Sequence, residues 1–398
     1  VSLVHFYVPI LQGLTSYYRY QESYKTESKL LTYLASFIVF MSLAFIYQLL
    51  QRKPKTGVDN QTFIDASSIK RQSSVVKYYV IAVAIPSLTI AIFNLYNIFS
   101  VGLDYYMRNR IFFGTGSGIL TLAPHFFVVA LIMFFCEISS RDSKEPKLKR
   151  VWLLFIILNI VLVSYFIVTG SRNSVFIMLS NYLICFLFLS SGRKRQFRKV
   201  AVVCVIGLLF FSYLGYERKN VLGYDLDDKS SAEMLVEGVN GAFGNNENML
   251  WLIENNFSNL HYGASYLAAP LNFVPRSIWE EKPVGGGPRL VNEIYPGSYT
   301  VGAKSVSSLT TGALTEAYLN FGSMFVPFVI ITYSFALFFQ VYLYRFIKST
   351  ISLAFFSYFI SLSNISLIYG EFLGVFTRGV FVMVGSWLVM KMVLAFRR

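Results

Sequence analysis

Long apolar runs almost free of charge constrain this chain most. Such runs fill residues 1–18, 30–50, 77–98, 117–138, 151–169, 174–190, 200–216, 322–345, 351–370 and 379–396. A run of about 20 such residues spans the hydrocarbon of a bilayer as a helix. Inside that layer the backbone satisfies its own hydrogen bonds only as a helix or a closed barrel. The composition agrees, with 55% of residues hydrophobic and 14% charged, against roughly a quarter charged in soluble domains. The fold expected is therefore an all-α polytopic membrane protein with about 10 transmembrane helices. The first run has no basic leader and no cleavage site, so no cleavable signal peptide is expected.

The formal net charge of +14 does not call for nucleic acid. The basic loops are 51–71, 141–150 ("RDSKEPKLKR"), 192–199 ("GRKRQFRK") and 344–349, with "FRR" at the terminus. Given these spans, all fall on one side, which the positive-inside rule makes the cytoplasm. Residues 19–29, 99–116, 170–174, 217–321 and 371–379 then face outward. The chain divides into N-terminal membrane helices (1–216), a large outer, periplasmic or extracellular segment (217–321) and C-terminal membrane helices (322–398). The expected location is the bacterial cytoplasmic membrane, multi-pass, with the working site on the outer face.

An outer segment of this length is expected to carry its own structure, because long structureless connectors are uncommon. "SSAEMLVEGVNGAFGNNENMLWLIENNF" (230–257) has helical spacing in two pieces, Met234, Leu235 and Val239, then Met249, Leu250, Leu252 and Ile253, with "GNNEN" between them. "SSLTTGALTEAYLNFG" (307–322) predicts a further short helix, in which Gly312 and Ala313 permit close packing. Between these pieces lies "NFVPRSIWEEKPVGGGPRL" (272–290), a proline- and glycine-rich cationic loop.

Cysteine and histidine exclude other chemistry. Cys136, Cys185 and Cys204 all lie in apolar runs, and His5, His125 and His261 are widely scattered. Neither a disulfide framework nor a metal site is expected, and no cofactor. The glycine triplet 285–287 is not a P-loop, since GK[ST] does not follow it.

Cations on the outer face go against the positive-inside rule. They are Arg172 in "TGSRNS", Arg218 and Lys219 in "LGYERKN", Arg276, Lys282 and Arg289 in the loop, Arg378 in "FTRGVF", and Arg108 and Arg110. Each has an ordinary alternative: Arg172 as a snorkelling turn residue, Arg218 paired with Glu217 or Asp225, Arg378 paired with Glu371, Lys282 and Arg289 as solvated charges. Together they suit an anion, because guanidinium forks grip phosphate oxygens in pairs and stay ionised when partly buried. Glycines 285–287 would let backbone N–H groups approach such an anion.

"YGASYLAAPLNFVPRSIWEEKP" (262–283) resembles the outer-loop signature of bacterial oligosaccharide repeat-unit polymerases, the Wzy or O-antigen polymerase family. "GNNENMLWLIENN", "SSLTTGALTEAYLNFG", "TGSRNSVF" and the late "RG" at 378–379 fit that layout. Arg276 and Gly287 carry the Arg, ten residues, Gly spacing once. The resemblance implies a GT-C-like membrane glycosyltransferase acting on an undecaprenyl-diphosphate-linked oligosaccharide. The growing glycan would pass from its lipid diphosphate to the terminal hydroxyl of a new lipid-linked repeat during O-antigen, capsule or exopolysaccharide synthesis. A flippase and a chain-length co-polymerase are the implied partners. On that reading Arg172, Arg218, Arg276, Arg289, Arg378 and Lys282 bind the diphosphate. Arg276, Glu316 and His261 are catalytic candidates, with Glu247 and Glu371 as further possible bases. Trp279, Tyr262 and Tyr266 are the sugar-stacking candidates, although interface belts of Trp and Tyr account for most such residues. The rivals are an O-antigen ligase-type transferase, a polysaccharide or lipid transporter, and a membrane scaffold.

Overall fold

The computed structural model describes residues 24–51, 73–109, 113, 118–140, 148–189, 246–301, 303, 308–368 and 370–396. The expected spans 1–18 and 200–216, the helical piece around Met234, and Arg110, Arg218 and Lys219 lie outside these residues. The regular elements are helical. In chain order they are α1 (Thr26–Gln51), α2 (Ser73–Val101), α3 (Leu103–Arg108), α4 (Gly118–Ser139), α5 (Leu148–Val168), α6 (Arg172–Leu189), α7 (Asn246–Glu254), α8 (Ala264–Leu271), α9 (Gly286–Ile294), α10 (Gly312–Phe321), α11 (Phe325–Arg345), α12 (Thr350–Ile368), α13 (Phe372–Phe376) and α14 (Met383–Phe396). A π-helical stretch, Thr377–Val382, joins α13 to α14.

Six helical stretches are long and apolar enough to cross a membrane, as in a multi-pass membrane protein: Thr26–Leu50, Ser73–Val101, Leu122–Ser139, Leu148–Val168, Gly312–Arg345 and Phe372–Phe396. Two shorter apolar helices are Asn173–Leu189 and Thr350–Asn364. Large side chains such as Leu30, Phe45, Ile85, Phe93, Ile160 and Phe335 are exposed along them. Helices apolar on every side suit a hydrocarbon solvent rather than water. The last span begins earlier than its sequence pattern suggests. "EFLGVFTRG" reads as an outer turn, yet its chain is helical from Phe372, so Arg378 stands in a helix. The aromatic rings of Phe372 and Phe376 lie 5.8 Å apart along that first turn.

The described residues fall into two compact units. One comprises described residues between 73 and 189, 342 and 362, and 378 and 396, and α4 is its core. Residues 127–133 of α4 are almost fully buried, packed against α2 and α6. α14 approaches α4 closely at Gly385, where a Cβ would lie 2.5 Å from the Phe126 ring. Glu137, at the end of α4, accepts hydrogen bonds from Ser73 Oγ and Thr350 Oγ1. It thereby ties three helix ends with hydroxyl donors, which a buried carboxylate requires.

The other unit comprises described residues between 24 and 51, 246 and 341, and 363 and 377. Ala35, Val39 and Leu43 of α1 pack with Met249, Ala313, Leu314, Ala317, Phe325 and Val329. Alanines at 313 and 317 allow the close helix approach for which small residues are used in membranes. α7, expected as helical from Met249, starts at Asn246, so part of "GNNEN" is helix rather than breaker. Its two acids are anchored: Tyr24 donates to Glu247 and Ser28 to Glu254.

Candidate functional site

The described residues of the 217–321 segment fold around the end of α10. The last carbonyls of a helix have no partner within it. Here the backbone N–H groups of His261 and Tyr262 donate to Leu319 O at 3.2 Å and Asn320 O at 3.0 Å. The crossing uses positive φ at Tyr262 (48°), Gly263 (85°) and Gly322 (54°), a region that glycine enters freely. A Cβ at Gly322 would meet Leu260 at 3.2 Å.

Beneath this crossing is a fully buried polar network. Asn320 Oδ1 accepts from the Gly263 N–H at 3.1 Å. Its Nδ2 donates to Ser265 Oγ at 2.8 Å and to Glu316 O at 2.7 Å. Ser265 Oγ donates in turn to Glu316 Oε1 at 2.7 Å. The other carboxylate oxygen, Oε2, accepts from the Phe372 N–H at 2.7 Å. Glu316 and Asn320 are one helical turn apart on α10, so both present to the same neighbours. Ser265 lies in the 262–283 stretch and Asn320 in the 307–322 stretch, but neither stood out as a site residue. The signal that could have found them is the polar pair i, i+4 within an otherwise apolar helix.

The glycine triplet opens α9 rather than forming a free loop. Gly285 is the N-cap, and Gly286 and Gly287 start the helix. The Gly287 N–H donates to Glu371 Oε2 at 2.8 Å. A carboxylate there is favoured because helix N-termini carry partial positive charge. Each glycine makes room: a Cβ would lie 2.7 Å from Glu371 Oε2 at Gly285, 3.0 Å from Glu316 Cδ at Gly286, and 2.4 Å from Leu309 O at Gly287. The backbone approach to an anion expected of this triplet is thus made to the protein's own Glu371.

Farther along α9, Arg289 Nη1 contacts His261 Nδ1 at 3.0 Å while its Nε donates to Val284 O at 3.1 Å. An arginine can only donate, so Nδ1 accepts and the ring proton resides on Nε2. That buried Nε2 lies 3.4 Å from Glu293 Oε1, without hydrogen-bond geometry. Burial, reinforced by the Arg289 charge, lowers the His261 pKa to about 4. Burial raises the Glu293 carboxyl, opposed by the bond from Asn259 and by Arg289. His261 is thus held as a neutral acceptor.

Arg276 and Lys282 occupy the loop between α8 and α9. Arg276 Nη1 donates to Glu280 O at 2.7 Å. Lys282 Nζ donates to Asn272 O at 3.2 Å and Val274 O at 2.8 Å, beside the last turn of α8, where a cation is favoured. Burial and the nearby Arg276 charge lower the Lys282 pKa. Both side chains remain partly exposed, and both retain further N–H donors.

The remaining sequence candidates are dispersed. Tyr266 is enclosed by rings, 5.9 Å from Phe321, 4.8 Å from Phe328 and 5.1 Å from Phe372. Tyr262 and Trp279 are exposed. Arg172 starts α6, its side chain outside the described residues, and Arg378 belongs with it to the unit built on α4. The described residues therefore bring Arg276, Lys282, Arg289, His261, Glu316 and Glu371 into one unit, and Glu247 into the same unit on α7. Among the described residues no group of three or more histidine, cysteine or acidic side chains could hold a metal. No protein-family model, no curated protein and no solved structure matches this chain.

Proposed function

We propose that this chain is a membrane glycosyltransferase that lengthens a surface polysaccharide on the outer face of the cytoplasmic membrane, joining undecaprenyl-diphosphate-linked repeats. One observation carries the reading. The stretch 262–283, which resembles the repeat-unit polymerase signature, is clasped to α10 through Asn320, Ser265 and Glu316, and its own cations Arg276 and Lys282 remain at the surface with unused donors. That pairs a rigid base with an anion-receptive edge.

In the reaction, the acceptor hydroxyl oxygen bonds to the donor sugar C1 as the C1–O(phosphate) bond breaks. Undecaprenyl diphosphate departs with the bonding electron pair, and the hydroxyl proton passes to a carboxylate base, for which Glu316 and Glu371 are the candidates. Stabilising charge on the leaving diphosphate is the largest demand, and fixed cations meet it without a metal. The orientation rests on the basic loops.

The test uses purified protein in proteoliposomes with lipid-linked repeats from its host. Wild-type protein yields a ladder of lengthened products, and Arg276→Ala inserts normally but yields none. A wild-type protein that never lengthens the repeats overturns the function, and normal ladders from Arg276→Ala overturn the site.

A further inference from the structure

We propose that the α8 helix and the loop after it lie in the headgroup layer of the membrane, with Leu267, Phe273, Ile278 and Trp279 at the acyl boundary and Arg276 and Lys282 at the level of the lipid phosphates. The partner is the lipid surface itself. This inference concerns the segment that the glycosyl-transfer reading uses, and does not require that reading to hold.

Depth is fixed by aromatic contacts. Tyr266 of α8 packs on Phe321, Phe328 and Phe372. Phe321 and Phe328 belong to the apolar stretch Gly312–Arg345, and Phe372 begins the stretch Phe372–Phe396. The rings of Phe321 and Phe328 lie 4.2 Å apart, tilted at 38°. So α8 is pinned where α10 gives way to α11, beside the first turn of α11, and at the first residue of α13. α11, with 21 residues, is by itself long enough to cross the hydrocarbon, which puts that junction where bilayer gives way to water. A helix held at that level meets lipid on any side not covered by protein.

The uncovered side is apolar. Leu267, next to Tyr266, is 58% exposed, and Ile278 is 78% exposed. Phe273 and Trp279 are exposed as well, as is Met324 beside Phe325. Exposed apolar side chains this close together in sequence are costly in water and ordinary at an interface. Tryptophan with flanking cations matches the interfacial belt. The cations complement it: Arg276 and Lys282 are held by backbone carbonyls, which leaves donors for phosphate oxygens. Glu280 and Glu281 are also exposed and mark the side of the loop that turns to water. A lipid-linked diphosphate would then reach the cations laterally, without leaving the bilayer.

The experiment places nitroxide labels on the full chain in liposomes of phosphatidylethanolamine and phosphatidylglycerol. Ile278→Cys and Glu281→Cys are labelled in a background whose native cysteines are replaced by alanine, and Leu267→Cys gives a second apolar position. Relaxation by oxygen and by a water-soluble nickel chelate is compared. Labels at 267 and 278 are expected to favour oxygen over nickel at least several-fold relative to 281. Equal nickel access at 278 and 281, or at 267 and 281, overturns the proposal. Label accessibility does not read transferase activity, so a failed polymerisation assay and a failed depth measurement are separate results.

Discussion

The backbone N–H of Gly287 and the Glu371 carboxylate meet at 2.8 Å across 84 positions of sequence. The first turn of α9 is thereby closed by an acid from the start of the last span. Burying this contact requires that no Cβ stand between the strands of chain that make it, and the glycine triplet meets that condition.

Gly287→Ala is expected to destabilise the unit that holds α9 by about 1–3 kcal/mol, the usual cost of forced overpacking. Its Cβ would meet the Leu309 carbonyl at 2.4 Å and Ser308 Oγ at 2.5 Å, and a backbone carbonyl cannot rotate away. Gly374→Ala, with nothing within 4 Å of its Cβ, is the control and should be neutral or slightly stabilising. Thermal unfolding in detergent separates them. Equal midpoints for both variants would refute the packing argument.

Replacing Glu371 tests charge against hydrogen bonding. Glu371→Gln keeps an acceptor for Gly287 and loses the favourable charge at the α9 N-terminus, about 0.3–1 kcal/mol, while it also relieves the like-charge repulsion between Glu371 and Glu316. Glu371→Ala also strands the N–H, adding about 1–3 kcal/mol. Alanine is therefore expected to be the least stable of the three, with glutamine within about 1 kcal/mol of wild type, read from denaturation midpoints.

Asn320→Ala removes the partner shared by Gly263, Ser265 and the Glu316 carbonyl. Several buried groups lose their bonds at once, so a loss of about 2–4 kcal/mol is expected. Hydrogen exchange should rise around residues 261–266 and little in α4. Unchanged protection there would show that the clasp is not held by this side chain.

The His261 contact sets a pH dependence. Its pKa is lowered to about 4 from 6.5, first by burial and then by Arg289. The folded state therefore binds fewer protons than the unfolded one between these values. The stability it contributes is fully present above about pH 6.5, declines as pH falls, and is lost below about pH 4. The raised Glu293 carboxyl opposes part of this slope. Protonation places an Nδ1–H against the Arg289 N–H donors, so exchange protection near 258–264 should fall over this window. His261→Phe should abolish that fall, and an unchanged slope in the variant would assign the titration elsewhere.

Much of the helical frame was legible in the sequence, because hydrocarbon leaves a backbone few ways to satisfy its hydrogen bonds and long charge-free runs therefore become helices. The runs at 30–50, 77–98 and 151–169 correspond to α1, α2 and α5, and the 307–322 pattern contains α10. Polar partners were not legible. Glu316 stood out as an acid in an apolar helix, but its bonds to Ser265 and Phe372 cross 51 and 56 positions. The glycine triplet promised close approach to an anion, and only packing decided that the anion is Glu371 and that residues 286–294 form a helix. Periodicity reports which side of a segment avoids water, whereas the choice of a partner for each buried donor and acceptor depends on which distant segments tertiary packing brings within 3 Å.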